Sequence, residues 1–312
     1  MKRFKKIFLL IISAAVIYSL VPVVTLYFMK EPAPYMNEKT AEKLSHNKGD
    51  YFGFIVFGDC HSGFMFNDSA TLKLIRQIDR EDRFKKLPID FVVVAGDATF
   101  RGSEWEHRIY NKTRSLIKWP ILTAMGNHDD DDDKGETTKY FKKYIGAKEL
   151  SFANRGSYFI IIDNAAGDIS EECFSAIEEE LKKSLAYKHR FIIAHKSPMS
   201  PYQQSWYRPE LSPWSYRFMK LCERYKVDIV FCGHEHMFKE SVFGGVKYIT
   251  SGGGGMITQI PKRDGGFLHY LVVRVYGDYV DYEARKVSPP LWEYLIYYMW
   301  KDAFYLIKDA IF

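Results

Sequence analysis

Short apolar runs alternate with longer amphipathic stretches along most of the chain, and this alternation constrains the fold more than any other feature. The apolar runs have the length and composition of buried strands: Phe52–Phe57, Phe91–Ala95, Ile121–Met125, Tyr158–Ile162, Phe191–Ala194 and Ile229–Phe231. The stretches between them have the length of helices: Ser69–Lys86, Ser103–Lys118, Thr137–Ile145, Ser170–Ala186 and Pro213–Tyr225. Strands that alternate with helices favour an α/β domain with largely parallel strands.

After residue 240 the pattern changes to shorter apolar runs. These runs are typical of antiparallel strands: Val242–Phe243, Val246–Thr250, Leu268–Val275 and Tyr279–Ala284. The run of four glycines at Gly252–Gly255 predicts a loop. We therefore predict one main domain over residues 51–288, which is long enough to build its own core.

The first 30 residues have a different character from the rest. Ile7–Met29 contains no charged residue and, as a helix rising about 1.5 Å per residue, would be long enough to cross a bilayer. Basic residues precede it, which predicts a transmembrane anchor over residues 1–30 and a main domain outside the cytoplasm. A cleaved signal peptide and a buried core helix are the alternatives. Residues 31–50 are polar, contain Pro32 and Pro34, and are predicted to be a linker.

The net charge of +5 comes from the same N-terminal segment. Residues 1–30 hold five of the 44 basic residues and no acidic one, which leaves 39 basic residues against 39 acidic residues in the remainder. The main domain is formally neutral, so no nucleic-acid partner is expected. The four cysteines show no paired spacing and are predicted to be buried packing residues, with a disulfide as the alternative.

Polar side chains follow five of the predicted strands at the point where each strand ends. The five segments are Gly58-Asp59-Cys60-His61, Gly96-Asp97, Gly126-Asn127-His128-Asp129, Ala194-His195-Lys196 and Gly233-His234-Glu235-His236. Each one alone could be a turn or a hydrogen-bonded structural residue. Together they place carboxylates, imidazoles and an amide at one edge of a sheet, and no folding requirement explains that. These groups bind metals such as Mn, Fe, Zn or Co, and seven ligands with one shared carboxylate suit two divalent or trivalent cations.

The order of these motifs resembles the calcineurin-like metallophosphoesterase superfamily from about Tyr51 to Arg285. The resemblance implies a four-layer α/β/β/α sandwich of two mixed sheets. It also implies a ligand set, in which Asp97 bridges the two metals. Asp59, His61 and His236 would bind one metal, and Asn127, His195 and His234 would bind the other.

The resemblance further implies hydrolysis of a phosphomonoester or phosphodiester by a metal-bridging hydroxide. His128 would donate a proton to the leaving group, and Asp129 would orient His128. Purple acid phosphatases of the superfamily place a tyrosine ligand where this chain has Phe100, so a purple site is not expected. A membrane-associated pyrophosphatase or phosphatase of a lipid-linked substrate is the alternative. A non-catalytic scaffold is less favoured, because that class should lack part of the ligand set.

Two further segments carry predictions of their own. Lys196–Trp214 begins directly after a predicted ligand and is rich in proline and aromatic residues. It is predicted to form either a wall over the site, with Lys196 and Arg208 as phosphate contacts, or a packed structural loop. Residues 289–312 are predicted to form an aromatic amphipathic helix, which would pack on the sandwich or lie at a membrane interface.

Overall fold

A computed structural model of the chain describes residues 2–84, 88–130, 138–167, 169–199, 213–258 and 260–289. The helices within these ranges are α1 (Lys2–Phe28), α2 (Asn37–Ser45), α3 (Met65–Phe84), α4 (Glu104–Arg114), α5 (Lys139–Tyr144), α6 (Glu171–Ser184) and α7 (Pro213–Arg224), with a 3-10 turn at Lys262–Asp264. The strands are β1 (Tyr51–Phe57), β2 (Ile89–Val94), β3 (Ile121–Thr123), β4 (Leu150–Asn154), β5 (Ser157–Ile161), β6 (His189–Ile193), β7 (Ile229–Cys232), β8 (Phe238–Phe243), β9 (Val246–Ser251), β10 (His269–Tyr276) and β11 (Tyr279–Lys286).

The strands form two mixed sheets, as the resemblance implied. The first sheet has the order β11-β10-β1-β2-β3, and β1, β2 and β3 run parallel. The second sheet has the order β4-β5-β6-β7-β9-β8, and its four central strands run parallel. Antiparallel strands stand at its two edges. The expectation of parallel strands early in the chain is confirmed, whereas β9, expected to be antiparallel only, pairs parallel to β7.

Side chains that alternate along β1 show how the layers are built. Phe52, Phe54 and Val56 point into a core between the two sheets, whereas Ile55 and Phe57 point into a core beneath the helices. This period of two is what a strand buried on both faces requires. Helices α3, α4 and α5 contribute to the core outside the first sheet, and α6 and α7 contribute to the core outside the second. The order of layers is therefore helix, sheet, sheet, helix.

Phenylalanine rings fill the centre of the core between the sheets. Phe54 is fully buried and lies 5.1 Å from Phe91, 5.3 Å from Phe159 and 5.4 Å from Phe191 between ring centroids. Each sheet contributes rings to this cluster, so the cluster holds the sheets face to face.

The segment predicted to be a linker contains α2, which packs on the domain. Asn37 at the start of α2 is buried, and its side-chain amide donates to the Thr123 carbonyl while its oxygen accepts from the Thr123 amide. These two bonds extend the edge of β3. Residues 37–45 are thus part of the domain, because a buried amide that satisfies a strand edge outweighs the polar character of the segment.

The helical form predicted for the N-terminal segment is confirmed by α1, but its transmembrane role is not supported. Among the described residues no helix combines the length and the hydropathy that a membrane crossing requires. The C-terminal turns of α1 pack on the domain, where Val23 and Leu26 are buried against Leu72 of α3 and Ile109 of α4. The aromatic helix predicted for residues 289–312 lies almost wholly outside the described residues.

The central ring cluster predicts a large loss of stability when Phe54 is truncated. Phe54→Ala should lower the free energy of unfolding by about 3–5 kcal/mol, because it opens a cavity between two sheets that cannot collapse onto each other. Urea denaturation followed by circular dichroism measures this change. Tyr279→Ala, which removes a ring that is 71% exposed, is the control and should change stability by less than about 1 kcal/mol. Similar losses for the two variants would contradict the assignment of the core.

Candidate metal centre

The five polar segments meet at one end of the sandwich, and both sheets contribute. Asp59, Asp97 and Asn127 follow β1, β2 and β3 of the first sheet, while His195 and His234 follow β6 and β7 of the second. The carboxyl ends of these parallel strands point to the same side, which is why residues far apart in sequence come together.

Glycines allow the two sheet ends to approach closely. Gly96 has φ +87, and a Cβ built on it would lie 2.2 Å from Nδ1 of His195. A Cβ on Gly233 would lie 2.5 Å from the Ala95 carbonyl oxygen and 2.6 Å from an Asp59 carboxylate oxygen. Any larger residue at these positions would push the ligand segments of the two sheets apart.

Three groups of ligand atoms lie within 4.8 Å of one another: Asp59 with His61 and His236, Asp97 with His195 and His234, and Asp97 with His61 and His128. The first two groups match the two predicted metal positions. Asp97 belongs to the second and third groups, so it lies between the two positions as a bridging ligand would.

The carboxylate of Asp97 presents one oxygen to each side. Its Oδ1 lies 3.2 Å from Nε2 of His195, and its Oδ2 lies 3.5 Å from Nε2 of His61. Asp59 Oδ1 lies 3.6 Å from Nε2 of His236. The predicted ligand Asn127 places its side-chain oxygen 3.1 Å from Nε2 of His195. All seven predicted ligands therefore converge.

The residues fit a pair of cations on grounds independent of the resemblance. His61 is 1% exposed, and neither of its ring nitrogens has a hydrogen-bond partner in the described part of the chain. A buried imidazole without partners is costly unless a further group satisfies it. Carboxylates of Asp59 and Asp97 face the same space, and a divalent cation there would satisfy all three side chains.

Three of the four histidine ligands are neutral. Burial lowers the pKa of His61 far below its usual range, that of His234 to about 3 and that of His236 to about 4, so these rings are neutral. Burial acts to raise the pKa of Asp97, but the charge and hydrogen bond of His195 lower it below its ordinary value. Burial alone would lower the pKa of His195, yet Asp97 raises it to about 9. A cation that replaces the His195 proton would preserve this pairing.

Backbone carbonyls orient the two central histidine rings. The Nδ1–H of His195 donates to the Ala95 carbonyl at 2.9 Å, which leaves Nε2 free to face Asp97. The Nδ1–H of His128 donates to the Phe100 carbonyl at 2.8 Å, so Nε2 of His128 is the atom left to meet a substrate. An outer hydrogen bond that fixes a ring and its tautomer is a regular feature of metal sites.

The hydrogen bonds of Asp129 are to backbone amides and to Thr99, and its role in orienting His128 stays a prediction. Asp129 is buried, and its Oδ1 accepts from the Thr99 amide at 2.8 Å while its Oδ2 accepts from the Gly126 amide at 2.9 Å. These bonds tie the loop after β2 to the loop after β3. Asp129 is therefore a positioning residue for the loops that carry Asp97 and His128, and the Phe100 carbonyl bonds to the His128 ring directly.

Asn164 is a contributor that the sequence reading missed. It is buried after β5, and its side-chain oxygen accepts from the amides of His195 at 2.8 Å and Lys196 at 3.1 Å. Its position after a strand of the second sheet was the available signal. The role of Lys196 as a phosphate contact stays a prediction, and Arg208 lies outside the described residues.

A second missed contribution comes from α1. The Tyr27 hydroxyl donates to Asp68 at 2.7 Å, and Asp68 also accepts from the Gly63 amide, two residues after His61. The Tyr27 ring packs edge-on against Trp105 at 5.4 Å. The end of α1 is thus joined to the segment that carries a predicted metal ligand.

These features define a class of protein. Residues 52–238, more than half of the chain, match the calcineurin-like phosphoesterase family, and the chain belongs to that family. It is a hydrolase that acts on phosphoric ester bonds, and the family implies a dinuclear metal centre.

Individual relatives are distant. A probable cyclic nucleotide phosphodiesterase of Vesicomyosocius okutanii is 22% identical over 206 residues, which cover 64% of this chain and 84% of the relative. A purple acid phosphatase from yellow lupin superposes with a TM-score of 0.60 at 17% identity, covering 77% of this chain and 52% of that one. GAP50, the anchor in the inner membrane complex of Plasmodium, superposes with a TM-score of 0.56 at 14% identity, covering 77% of this chain and 86% of that one. At such identities the structures show a shared fold alone, and this chain spans about half of the lupin enzyme.

Burial of Asp68 predicts a pH-dependent stability. Burial raises the pKa of Asp68 from 3.8 to about 7, so between about pH 4 and pH 7 the folded protein holds a proton that the unfolded chain lacks. The free energy of unfolding should therefore fall as the pH rises through this window, by at most about 4 kcal/mol. Urea denaturation from pH 4 to pH 8 should show a steeper fall in the wild type than in Asp68→Asn, which retains the contributions of the buried histidines.

Tyr27→Phe is the matched variant, since the Tyr27 hydroxyl lowers the pKa of Asp68. Without this hydroxyl, the fall in the free energy of unfolding should extend to higher pH. Parallel pH profiles for the wild type and Asp68→Asn would show that Asp68 does not titrate in this way.

Proposed function

We propose that the protein hydrolyses a phosphomonoester or phosphodiester at the dinuclear site, with His128 as the proton donor to the leaving group. The observation that carries this proposal is the position of Asp97, whose two oxygens lie 3.2 Å from His195 and 3.5 Å from His61. A shared carboxylate lessens repulsion between cations about 3.5–4 Å apart, as hydrolysis with two metals requires. The probable phosphodiesterase of Vesicomyosocius okutanii supports this reaction class.

Different residues of the chain would hold the cations and position the ligand loops. Asp59, His61 and His236 would hold one cation, Asn127, His195 and His234 would hold the other, and Asp97 would hold both. When bound, the cations polarise the phosphoryl oxygens and lower the pKa of water. Asn164 and the Ala95 carbonyl fix His195, and Asp129 fixes the loop that carries Asp97.

His128 is placed for proton transfer. Its ring is partly exposed and lies 4.6 Å from the His61 ring between centroids. The Phe100 carbonyl holds Nδ1, so Nε2 faces the site and can deliver a proton to a departing oxygen.

Two alternatives to this proposal, a non-catalytic scaffold and a lipid-linked substrate, can be distinguished from it. A non-catalytic scaffold should lack ligands, whereas here all seven ligands and His128 are present. A lipid-linked phosphate or pyrophosphate is a narrower version of the proposed reaction, and a substrate panel separates it. The location of the domain outside the cytoplasm stays a prediction from the charges of residues 1–30.

Metal removal should abolish turnover. The full chain, stripped with a chelator, should lose hydrolysis of p-nitrophenyl phosphate and of its bis-ester, because the nucleophile and the charge stabilisation depend on the cations. Addition of Mn, Fe, Zn or Co should restore activity, with about two equivalents bound by elemental analysis. Turnover that persists after complete chelation would exclude the dinuclear reaction.

Loss of the proton donor should depend on the leaving group. His128→Asn should lower kcat by about 10²- to 10⁴-fold for an alkyl ester, whose alkoxide needs a proton, and by much less for p-nitrophenolate, which does not. Metal content should remain unchanged. His46→Asn, at an exposed position beyond α2, is the control and should leave both rates as in the wild type. An equal loss for both esters would refute the acid role of His128.

A further inference from the structure

Two phenylalanine rings extend outward from the proton donor. Phe100 lies 6.4 Å from the His128 ring with an interplanar angle of 22° and 6.1 Å from the His61 ring. Phe64 stacks on Phe100 with centroids 5.3 Å apart and an angle of 19°. His128, Phe100 and Phe64 thus form a series of nearly parallel rings that begins in the metal centre and ends at the surface.

The outer ring is not buried packing. Phe64 is 39% exposed at the entrance to α3, beside a site that is otherwise polar. A core ring of this size would normally be covered, whereas more than a third of the Phe64 surface is exposed. Its exposed face is available to a ligand.

The backbone holds the two rings rigidly. The Ser62 amide donates to the Ala98 carbonyl at 2.9 Å, and the Phe100 amide donates to the Ser62 carbonyl at 3.1 Å. Ser62 and Thr99 form a parallel bridge, and the Phe64 carbonyl accepts from the Asp68 amide at the first turn of α3. Since the loops are already fixed, little conformational entropy is lost when a ligand settles against the rings.

A cation lies beside the series as well. The guanidinium carbon of Arg101 is 5.3 Å from the centroid of the Phe100 ring, and the Arg101 side chain is exposed. An exposed guanidinium next to aromatic faces favours planar, electron-rich rings and nearby anionic groups.

We propose that Phe64 and Phe100 form an aromatic platform that stacks a planar ring carried by the leaving group of the phosphoester. The ester oxygen would lie at His128. An aryl group bonded directly to that oxygen would then lie against Phe100, and a nucleobase, which the sugar separates from the oxygen, would reach Phe64. This inference rests on the proposed function and narrows its substrate class. A flat, preorganised pair of rings binds a planar group better than a flexible alkyl chain, because two planar groups can bring their whole faces into contact.

Matched substrates test the platform. Adenosine 5′-monophosphate, phenyl phosphate, ribose 5-phosphate and octyl phosphate, each also as its methyl diester, separate nucleobase, aryl, sugar and alkyl leaving groups within either ester class. We expect kcat/KM to be on the order of 10-fold higher for the adenosine compounds than for the ribose compounds, because both release a 5′ alkoxide oxygen and differ in the base. The ratio of kcat/KM between the adenosine and phenyl compounds distinguishes a nucleobase from a simple aryl group as the preferred ring.

Variants of Phe64 locate the effect. Phe64→Leu keeps an apolar side chain without a flat ring and should remove most of the preference, chiefly through KM, whereas Phe64→Trp should retain it. Tyr276→Leu is the control, because Tyr276 is equally 39% exposed but lies at the end of β10 that pairs with Tyr51, away from the site. Thermal unfolding of each variant checks that the fold is kept.

Three results would overturn the platform while leaving the hydrolase intact: equal kcat/KM for adenosine and ribose compounds, a preference for octyl phosphate, or a preference unchanged in Phe64→Leu. If no ester is hydrolysed, the proposed function fails instead, and binding decides the platform separately. Calorimetry on the metal-loaded full chain should then show tighter binding of phenylphosphonate than of methylphosphonate. Equal affinities would refute the platform.

Discussion

The structure depends on one buried carboxylate, that of Asp97, which meets histidines from both sheets. Its oxygens face His61 from the loop after β1 and His195 from the loop after β6. A carboxylate of this kind is costly to bury unless positive or hydrogen-bonding groups surround it. The backbone amide of His128 supplies one further bond to Asp97 at 2.9 Å. The ends of the two sheets are thus held together by polar contacts, whereas their centres are held by packed rings.

The local backbone is strained where the ligands lie. Asp59, His61, Asp97 and His234 all have φ between 46° and 69°, a region that non-glycine residues rarely occupy. Each such conformation costs on the order of 1–3 kcal/mol, and it persists only where the surroundings determine it. Asp129 and Asn164 are part of those surroundings, since their side chains bind backbone amides of the ligand loops. The sandwich therefore supplies the stability that holds the ligand loops in place.

The sequence predicted those parts of the molecule whose signals are local. A strand that ends in glycine and a polar side chain marks its own position, so the pattern predicted that the seven candidate ligands would converge. The two mixed sheets were implied by the resemblance to the family. Contacts between distant segments left no such signal. The partner of Asp129 is Thr99 rather than His128, and the alternation of residues gives no indication of this. The pairing of Asn37 with Thr123, which joins the start of α2 to the domain, depends on an edge that exists only after folding.

The contact between α1 and the ligand loop has a similar origin and a further consequence. Tyr27 and Gly63 both bond to Asp68, so movement of α1 away from α3 would leave the buried carboxyl of Asp68 with fewer donors. The Gly63 amide belongs to the same segment as His61, which faces Asp97, and Phe64, which stacks on Phe100. A shift of this segment would change a metal ligand and an aromatic surface together. The end of α1 is therefore coupled to both the metal centre and its entrance, although it contributes no ligand.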